Sequence, residues 1–344
     1  MCLLTYPAFS SLPTFALESE GSPTNSPKVT VESPKQVDQS VYGNLLANPT
    51  LSYDAQAHTF SGWEVTTQSY VWNSPILNVT FNTLSENGNI VNISGAPGAY
   101  FKYNDNQLMI NTTNQIPVCL ISNSIRALAG RTYEATVTTL PGGTYCDYVG
   151  IRENSGVSST SATGWHSSPG KISQTKKVSS NVELQMEFET SNGFHSIYDR
   201  NSIFFGLKYA AQWKAVDSLF TSVDHSILAP SVSTPQINQV KTLVTTTSYH
   251  DDRADMLKAI DRATQLLTKR DQELQQTILT QLEQLLINGE LAPNVTLESL
   301  QPIQALIDQL SDATIKQPLQ QKLQAIKEKI LQKNISAQLE QLLV

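Results

Sequence analysis

Residues 228–232, LAPSV, return 63 positions later as residues 291–295, LAPNV. The flanking apolar residues keep the same offset without a gap: Val216, Leu219 and Val223 fall on Leu279, Leu282 and Leu286, and Met256, Ile260, Ala263 and Leu267 fall on Leu319, Leu323, Ile326 and Ile330. A repeat that stays in register through several apolar stretches indicates a duplicated structural unit. Because the apolar residues recur every three or four positions, both copies are predicted to be helical.

The first copy, residues 208–270, is predicted to contain three helices. The first is marked by an apolar stripe of Trp213, Val216, Leu219, Phe220 and Val223. Thr234 is predicted to cap the second helix, with Pro235 at its first position, where a missing N–H costs nothing. Asp251 and Asp252 are predicted to cap the third, which runs to about Arg270.

The second copy, residues 271–333, is predicted to repeat this plan. Its helices are expected near 272–287, 298–310 and 314–333, with Pro302 and Pro318 in first turns, where proline is tolerated. The hexapeptide QLEQLL occurs at 281–286 and again at 338–343. Residues 334–344 are therefore predicted to open a third unit or to form a capping helix. The sequence offers no partner for the leucines of that end helix, and a protein partner for the helical units is one possibility.

Residues 41–207 change character. Short runs alternate apolar and polar residues between Gly, Asn and Pro, as in ILNVTF at 76–81, VELQMEF at 182–188 and SIFFGL at 202–207. Seven or more such runs predict a β-sandwich or barrel. The fold class expected for the whole chain is therefore multidomain β then α, with a β-sandwich followed by two tandem three-helix units.

The start of the chain differs from both regions. Residues 1–16 are apolar and end in Thr14-Phe15-Ala16, a small-x-small cleavage pattern that predicts the remnant of a secretory signal peptide. Residues 17–40 are rich in Ser, Pro, Glu and Lys, which predicts a disordered linker.

The composition favours a secreted or cell-surface protein. Charged residues make up 15% of the 344, and the net charge of −7 argues against a nucleic-acid partner. No membrane span is expected. Cys119 and Cys146 could pair in an oxidising compartment or could be small buried side chains on strands. No residues stand at metal-ligand spacing, so no metal site is expected from the pattern itself.

Two motifs resemble the jelly-roll carbohydrate-binding modules. The stretch NLLANP at 44–49, followed by FSGWEV at 60–65, resembles the opening of these modules, and IYDRNSI at 197–203 resembles their closing strand. The resemblance implies a jelly roll that binds carbohydrate. The family often places a calcium-binding carboxylate soon after the N-P pair, where this chain has Ser52, so a structural calcium is possible but doubtful.

The helical part resembles a second family. The runs AVDSLF at 215–220, TPQI at 234–237 and AIDRA at 259–263 resemble the helical domain in the C-terminal extension of insecticidal crystal toxins. Related units follow jelly-roll modules in Gram-positive surface and secreted proteins. The resemblance implies spacer or assembly modules without an active site.

Aromatic residues are the candidate ligand contacts, because aromatic rings stack on sugar rings while core packing is their ordinary role. Trp63, in the G-W pair, is expected in the core. Trp72 and Tyr70 share a face of one extended segment, and Trp165 lies in a polar loop with no evident core role. The predicted ligand-binding residues are Trp165, Trp72, Tyr70, Tyr145 and Tyr148.

No catalytic residue is predicted. Glu187 and Glu189 alternate along one strand and share a face, as the carboxylates of a glycoside hydrolase would, but a solvent-facing strand explains them equally well. The expected function is non-catalytic binding of a glycan or cell-wall polysaccharide. The alternatives are a toxin-associated assembly protein that binds no sugar and, less favoured, a glycan-active hydrolase.

Overall fold

Two antiparallel β-sheets pack face to face in the part of the chain that precedes Lys208. The computed structural model describes residues 42–68, 79–81, 84–104, 106–113, 116–153, 161–162 and 166–342. The segments 1–16 and 17–40 and the predicted ligand residues Tyr70, Trp72 and Trp165 lie outside these ranges. Within them, the predicted order of a β-sandwich followed by helices is confirmed.

The strands of the sandwich follow one another closely. In chain order they are β1 (Tyr53–Asp54), β2 (Thr59–Phe60), β3 (Trp63–Gln68), β4 (Val79–Phe81), β5 (Leu84–Asn87), β6 (Ile90–Ile93), β7 (Tyr100–Tyr103), β8 (Gln107–Asn111), β9 (Val118–Ser122), β10 (Ile125–Ala127), β11 (Thr132–Thr139), β12 (Asp147–Glu153), β13 (Ser161–Ala162), β14 (Gly170–Lys177), β15 (Val182–Thr190), β16 (His195–Asp199) and β17 (Phe204–Leu207). The first large sheet has the order β13-β12-β15-β9-β3-β4, with β10 also pairing with β15. The second has the order β14-β11-β16-β8-β7-β6-β5, with β17 also pairing with β11.

The core forms between the two sheets because successive side chains of a strand point to opposite faces. Phe188 of β15 is fully buried and makes edge contacts with Trp63 and Tyr198, at centroid distances of 5.6 and 5.1 Å. Tyr198 is also fully buried, and its hydroxyl donates to Asp147 Oδ1 at 2.7 Å. The expectation that Trp63 belongs to the core is confirmed.

The N-L-x-x-N-P stretch closes the sandwich. The side-chain amide of Asn44 donates to the Ile203 carbonyl at 2.7 Å, and its Oδ1 accepts from Phe205 N at 3.1 Å. The Asn48 carbonyl accepts from Trp63 Nε1 at 2.8 Å. The Asn44 bonds tie the opening of the domain to its last strand, and the Asn48 bond ties it to β3, so the motif has a structural role.

Beyond the sandwich, the described chain is mostly helical. Its elements are α1 (Ala210–Asp217), α2 (Thr234–Thr246), α3 (Arg253–Gln284), a hairpin of β18 (Leu286–Ile287) and β19 (Glu290–Leu291), a 3-10 turn (Glu298–Leu300), α4 (Gln301–Asp308) and α5 (Ala313–Leu342). Ser233, not Thr234, caps α2, and Ser233 N accordingly donates to Gln236 Oε1 at 2.9 Å. α1 ends before Val223, which is exposed. Among the described helices, none has the length and apolarity needed to cross a membrane.

Helices predicted as separate are joined in the structure. α3 passes without a break through the expected boundary at Arg270, and α5 passes through the one after residue 333. Neither place carries a glycine or proline to end a helix. Asp271 instead accepts from the backbone N–H groups of Ser311 and Asp312, at 3.0 and 2.8 Å, just before α5. Pro302 lies in the first turn of α4 as expected, but Pro318 lies inside α5, contrary to the prediction.

The first helical unit and the sandwich share one hydrophobic core. A single cluster of buried residues runs from Leu46 to Leu267, whereas the second helical unit has its own cluster, from Ile278 to Ile330. The described residues all belong to one compact unit, Lys35–Val344.

Two buried aspartates of the helical part also bind the sandwich. Asp217 forms an ion pair with Arg131 at 2.9 Å. Asp252, predicted to cap α3 through its side chain, instead accepts from Thr132 N at 2.8 Å, Thr132 Oγ1 at 2.5 Å and Trp213 Nε1 at 2.9 Å. The Arg131 guanidinium lies 4.5 Å from the centroid of the Trp213 ring. These contacts fix the first helical unit to β11.

Candidate functional site

A row of polar side chains crosses the first sheet on the side away from the core. The register places Glu189 of β15 beside Tyr148 of β12 and Cys119 of β9, and Cys119 beside Thr66 of β3. In the next row, Glu187 lies beside Gly150 and Ile121. We call the side chains of Tyr148, Arg152, Gln185, Glu187 and Glu189, with Gly150 between them, the polar face.

The polar face is largely buried. Glu187 and Glu189 are each 2% exposed, whereas Tyr148 and Arg152 are half-buried. A solvent-facing strand was one explanation for the alternating glutamates, and the structure contradicts it. Burying two carboxylates on one strand is costly unless each is paired or protonated. The cost marks this face as the candidate functional site.

Gly150 leaves space for the carboxylate and the phenol. A Cβ atom at this position would lie 3.0 Å from both Cγ and Oε1 of Glu187 and 3.3 Å from Cε2 of Tyr148. The Tyr148 hydroxyl donates to Glu187 Oε1 at 3.2 Å. A side chain at position 150 would therefore displace this pair, and the glycine is part of the construction of the site.

Arg152 closes one side of the polar face. Its Nε donates to Gln185 Oε1 at 3.0 Å, and its Nη1 lies 3.8 Å from Glu187 Oε2. Gln185 in turn donates to the Ser122 carbonyl at 2.9 Å. Burial raises the pKa of Glu187, against the opposing effects of the Arg152 charge and the Tyr148 hydroxyl. Glu187 is thus a buried carboxyl group with positioned hydrogen-bond donors.

Glu189 differs from its neighbour because one of its oxygens has no partner. Among the described side chains, none forms a hydrogen bond with Glu189 Oε2. Burial, followed by the charges of Glu187 and Asp147, raises the pKa of Glu189 to about 8. The side chain is therefore mostly protonated at neutral pH and offers an O–H donor on the same face of the strand as the carboxyl group of Glu187. Such a pair can bind a polyhydroxylated ligand, since every hydroxyl group both donates and accepts.

The two cysteines that the structure describes form no disulfide. Cys119 is buried on β9 and Cys146 is half-buried just before β12, and both are free. Burial, followed by the charges of Glu187 and Glu189, raises the pKa of the Cys119 thiol well above its usual value. Cys119 is therefore an uncharged thiol beside the polar face, and the possibility that the two cysteines pair is not realised.

Of the two predicted ligand residues that the structure describes, one lies on the polar face and the other does not. Tyr148 belongs to the polar face. Tyr145 is buried, its hydroxyl accepts from Gly143 N at 2.8 Å, and it donates to the Leu140 carbonyl in the same turn. The other three aromatic candidates lie outside the described residues. The sequence pattern places Glu187 and Glu189 on one face, but it contains no signal for Gly150 or Arg152.

The calcium implied by the family resemblance does not fit the residues present. Arg200 is buried next to Ser52, the position where the family often has a carboxylate. Its Nε donates to Thr50 O at 2.6 Å, Nη1 to Asn104 O at 2.7 Å and Nη2 to Ser52 Oγ at 3.2 Å. The guanidinium thus already forms hydrogen bonds with the neutral oxygens that a calcium ion would need as ligands. Within the described ranges, no three His, Cys, Asp or Glu side chains gather to hold a metal.

Replacing Arg200 by methionine is expected to destabilise the sandwich by about 2–3 kcal/mol, since buried carbonyls lose charged donors. Calcium or EDTA is expected to shift the melting temperature of the wild-type chain by less than about 1 °C, because no site gains from the ion. Thermal unfolding followed by circular dichroism measures both effects, with Lys171→Met at an exposed position as the control. A calcium-dependent rise of the melting temperature would contradict the assignment of Arg200.

A protein-family model matches the first helical unit. Residues 208–269 match the family model described as domain IV of the pesticidal crystal protein Cry1Aa. The predicted resemblance of the helical part to the extension of crystal toxins is thereby confirmed for the first helical unit. A search of curated proteins gave no match.

Solved structures similar to this chain are found at low identity and low TM-score. The enzymatically active domain of bacteriophage CBA120 tailspike protein 4 is 12% identical over 50% of this chain and 22% of its own length, with a TM-score of 0.29. A CBM4 structure is 11% identical over 43% of this chain and 96% of its own, with a TM-score of 0.25. The xylan-binding module CBM86 of Roseburia intestinalis is 12% identical over 38% of this chain and 99% of its own, with a TM-score of 0.25.

Proposed function

We propose that the chain is a non-catalytic carbohydrate-binding protein that holds its ligand at the polar face. The observation that carries this proposal is the unpartnered Oε2 of Glu189. It lies on a face built around Gly150, beside the half-exposed Tyr148 and Arg152. A buried polar atom without a partner costs free energy, and a ligand hydroxyl that bonds it recovers that cost.

The chemistry of the face suits a saccharide. A carboxylate accepts from sugar hydroxyls, a guanidinium donates to them, and the Tyr148 ring offers a surface for the apolar face of a pyranose. The ligand approaches from the side of Tyr148 and Arg152, which are the more exposed members. Tyr70, Trp72 and Trp165 are proposed to supply further stacking surfaces.

The proposal extends to the roles of the two parts of the chain and to the location of the protein. The sandwich recognises a glycan or cell-wall polysaccharide, and the helical units serve as spacer or assembly modules. A secreted or cell-surface location agrees with a low content of charged residues. An oxidising location is compatible with free cysteines here, because Cys119 is buried and protonated.

A hydrolase is the second candidate, favoured by the proximity of two glutamates with different surroundings. Glycoside hydrolases use one protonated and one ionised carboxyl group. Glu189, with a pKa of about 8, suits the first role, and Glu187, held by Arg152 and Tyr148, suits the second. Release of reducing ends from a retained polysaccharide would establish this activity, and its loss in Glu189→Gln would assign it.

Binding is tested with the full chain on a glycan array and on insoluble polysaccharides. Glu187→Gln and Tyr148→Phe are expected to weaken retention by at least about tenfold, because each removes a positioned hydrogen-bonding group. Trp72→Ala and Trp165→Ala are further variants, of which at least one is expected to weaken binding without lowering the melting temperature. Glu183→Gln, at an exposed position of the same strand, is the matched control and is expected to bind like the wild type.

Two results would overturn the proposal. Retention on no glycan would move the assignment to an assembly protein. Retention that survives Glu187→Gln and Tyr148→Phe together would show that the sugar binds elsewhere on the chain. Melting temperatures of all variants accompany the binding data, so that loss of the fold is not mistaken for loss of the site.

A further inference from the structure

Two buried oxygens without a partner lie in the same row of the first sheet. Among the described side chains of the sandwich, Thr66 Oγ1 and Glu189 Oε2 are the buried side-chain oxygens that form no hydrogen bond. The register places Cys119 between these two residues and Tyr148 on the other side of Glu189. Thr66 and Cys119 are fully buried, and Glu189 is 2% exposed. We call Tyr148, Glu189, Cys119 and Thr66 the cross-strand row.

The Cys119 thiol lies next to the Thr66 hydroxyl but does not satisfy it. Burial, followed by the charges of Glu187 and Glu189, raises the pKa of Cys119, and the nearby Thr66 hydroxyl acts in the opposite direction. The thiol itself has the Leu120 carbonyl as its acceptor, at 3.9 Å, and a thiol is only a weak donor and acceptor. A buried hydroxyl without a hydrogen bond costs free energy, so Thr66 Oγ1 is an open position for a polar atom from outside the chain.

The cross-strand row is longer than one sugar ring. Neighbouring strands lie about 4.8 Å apart, so the three spacings from Tyr148 on β12 to Thr66 on β3 measure about 14 Å. A pyranose ring is about as wide as one strand spacing, and a ring that stacks on Tyr148 therefore does not reach Thr66. Both ends of the row border accessible side chains, since Tyr148 is half-buried and Glu64, two positions before Thr66 on the same face of β3, is exposed. A chain of linked rings can thus lie across the strands.

The charges around the cross-strand row favour an uncharged ligand. The register places the carboxyl groups of Glu64 and Glu187 on the same face of the sheet, and Asp147 lies on the core side of β12. Among the described residues nearest to the row, Arg152 is the cation, and it is already engaged with Gln185 and Glu187. A carboxylate, sulfate or phosphate group on the ligand would meet like charges here, which is unfavourable.

We propose that Thr66 is a ligand-binding residue of this face, and that the ligand is an uncharged oligosaccharide of at least two linked rings running across β12, β15, β9 and β3. One ring stacks on Tyr148 and forms a hydrogen bond with Glu189, and a following ring forms a hydrogen bond with Thr66 Oγ1. This inference rests on the proposed function and adds the length and the charge of the ligand. Thr66 sets the preference for length, because only a chain that reaches β3 gains its hydrogen bond.

Neutral oligosaccharides of increasing length, from a single ring to a tetramer, test this inference with the full chain. They are prepared from glucan, galactan and mannan, and binding is measured by NMR titration. The wild type is expected to bind the tetramer at least about tenfold more tightly than the single ring. Thr66→Val is expected to weaken binding of the tetramer by about fivefold to tenfold and to leave binding of the single ring unchanged. Thr175→Val, half-buried on β14 of the second sheet, is the matched control and is expected to bind both like the wild type.

The expected charge of the ligand is tested in the same way. Each neutral tetramer is compared with its uronate counterpart, in which every ring carries a carboxylate. The uronate tetramer is expected to bind the wild type at least about tenfold more weakly than the neutral one, because it meets the carboxyl groups of Glu64 and Glu187.

The melting temperature distinguishes a ligand contact from a structural role of Thr66. Valine has nearly the shape of threonine and removes a hydroxyl that has no partner, so Thr66→Val is expected to melt at or above the temperature of the wild type. If Thr66 instead held a buried water, valine would leave that water short of a partner and lower the melting temperature.

The outcomes separate failure of this inference from failure of the proposed function. Absence of binding to every oligosaccharide would overturn both. Binding that is weakened by Tyr148→Phe but not by Thr66→Val would overturn the inference alone. Equal affinity for the single ring and the tetramer, tighter binding of the uronate tetramer, or a lower melting temperature of Thr66→Val would also overturn it.

Discussion

Replacing Asp217 by alanine is expected to lower the free energy of unfolding by about 3–5 kcal/mol, the range for breaking a buried ion pair from one side. The Asp217 carboxylate accepts from the Tyr42 hydroxyl at 2.5 Å, from His225 Nε2 at 2.7 Å and from Arg131 Nη2 at 3.0 Å. Both members of the Arg131–Asp217 pair are about 95% buried. The variant leaves the Arg131 guanidinium buried with its partner removed, and urea unfolding monitored by circular dichroism measures the loss.

A double variant distinguishes two contributions to this loss: the ion pair itself, and the cost of leaving one charge buried without a partner. The double variant Arg131→Met with Asp217→Leu is expected to lose less stability than Asp217→Ala alone, because neither charge is left unpaired. Lys258→Ala is the control, since its ion pair with Asp255 is exposed and is expected to contribute less than about 1 kcal/mol. If Asp217→Ala lowers the free energy of unfolding by less than about 1 kcal/mol, the buried hydrogen bonds and ion pair of Asp217 do not stabilise the contact between the first helical unit and the sandwich.

The contribution of Asp217 to stability depends on pH in a definite direction. Burial acts to raise the pKa of Asp217, but the His225 hydrogen bond, the Arg131 charge and the Tyr42 hydroxyl outweigh it, and the pKa lies below its usual value. A carboxyl group with a lowered folded pKa contributes stability that is complete above its unfolded pKa, near 4, and is lost as the pH falls through the folded pKa. The difference in stability between wild type and Asp217→Asn is therefore expected to shrink below about pH 4.

The sequence predicted the order of the domains because that order depends on periodicity. The alternating runs before residue 208 and the three- to four-residue spacing after it are local properties, and the repeat was visible as identical residues. The ends of the helices were harder to predict. Asp252 looks like a helix cap in sequence, but a tertiary partner, Thr132, competes for the same oxygens and binds them. A helix of one unit also continues into the next where no glycine or proline separates them.

The candidate site could be predicted in part. The two-residue period placed Glu187 and Glu189 on one face, which the register confirms. Their burial could not be predicted, because a strand has the same pattern whether its polar face meets water or protein. Gly150 and Arg152 reach this face only through the pairing of β12 with β15, which joins residues some 35 positions apart. Long-range pairing of this kind leaves no signature in a single sequence.

Replacing Glu189 by glutamine is expected to stabilise the chain at alkaline pH. Burial and the charges of Glu187 and Asp147 raise the pKa of Glu189 to about 8, against an ordinary value near 4.5. A raised carboxyl pKa means that the folded state binds the proton more tightly than the unfolded state does. The stability of the wild type therefore falls as the pH rises from about 4.5 to about 8, and it is lowest above pH 8, where the buried side chain is ionised.

Glutamine has the shape of the protonated carboxyl group and never ionises. Glu189→Gln is therefore expected to differ from the wild type by less than about 1 kcal/mol at pH 5 and to be more stable by about 2–4 kcal/mol at pH 9. Urea unfolding at both pH values measures the difference. Glu183→Gln, exposed on the same strand, is expected to show no such dependence. An equal effect of Glu189→Gln at pH 5 and pH 9 would mean that Glu189 is ionised throughout. Protonation of Glu189 would then no longer explain why its Oε2 atom is buried without a partner.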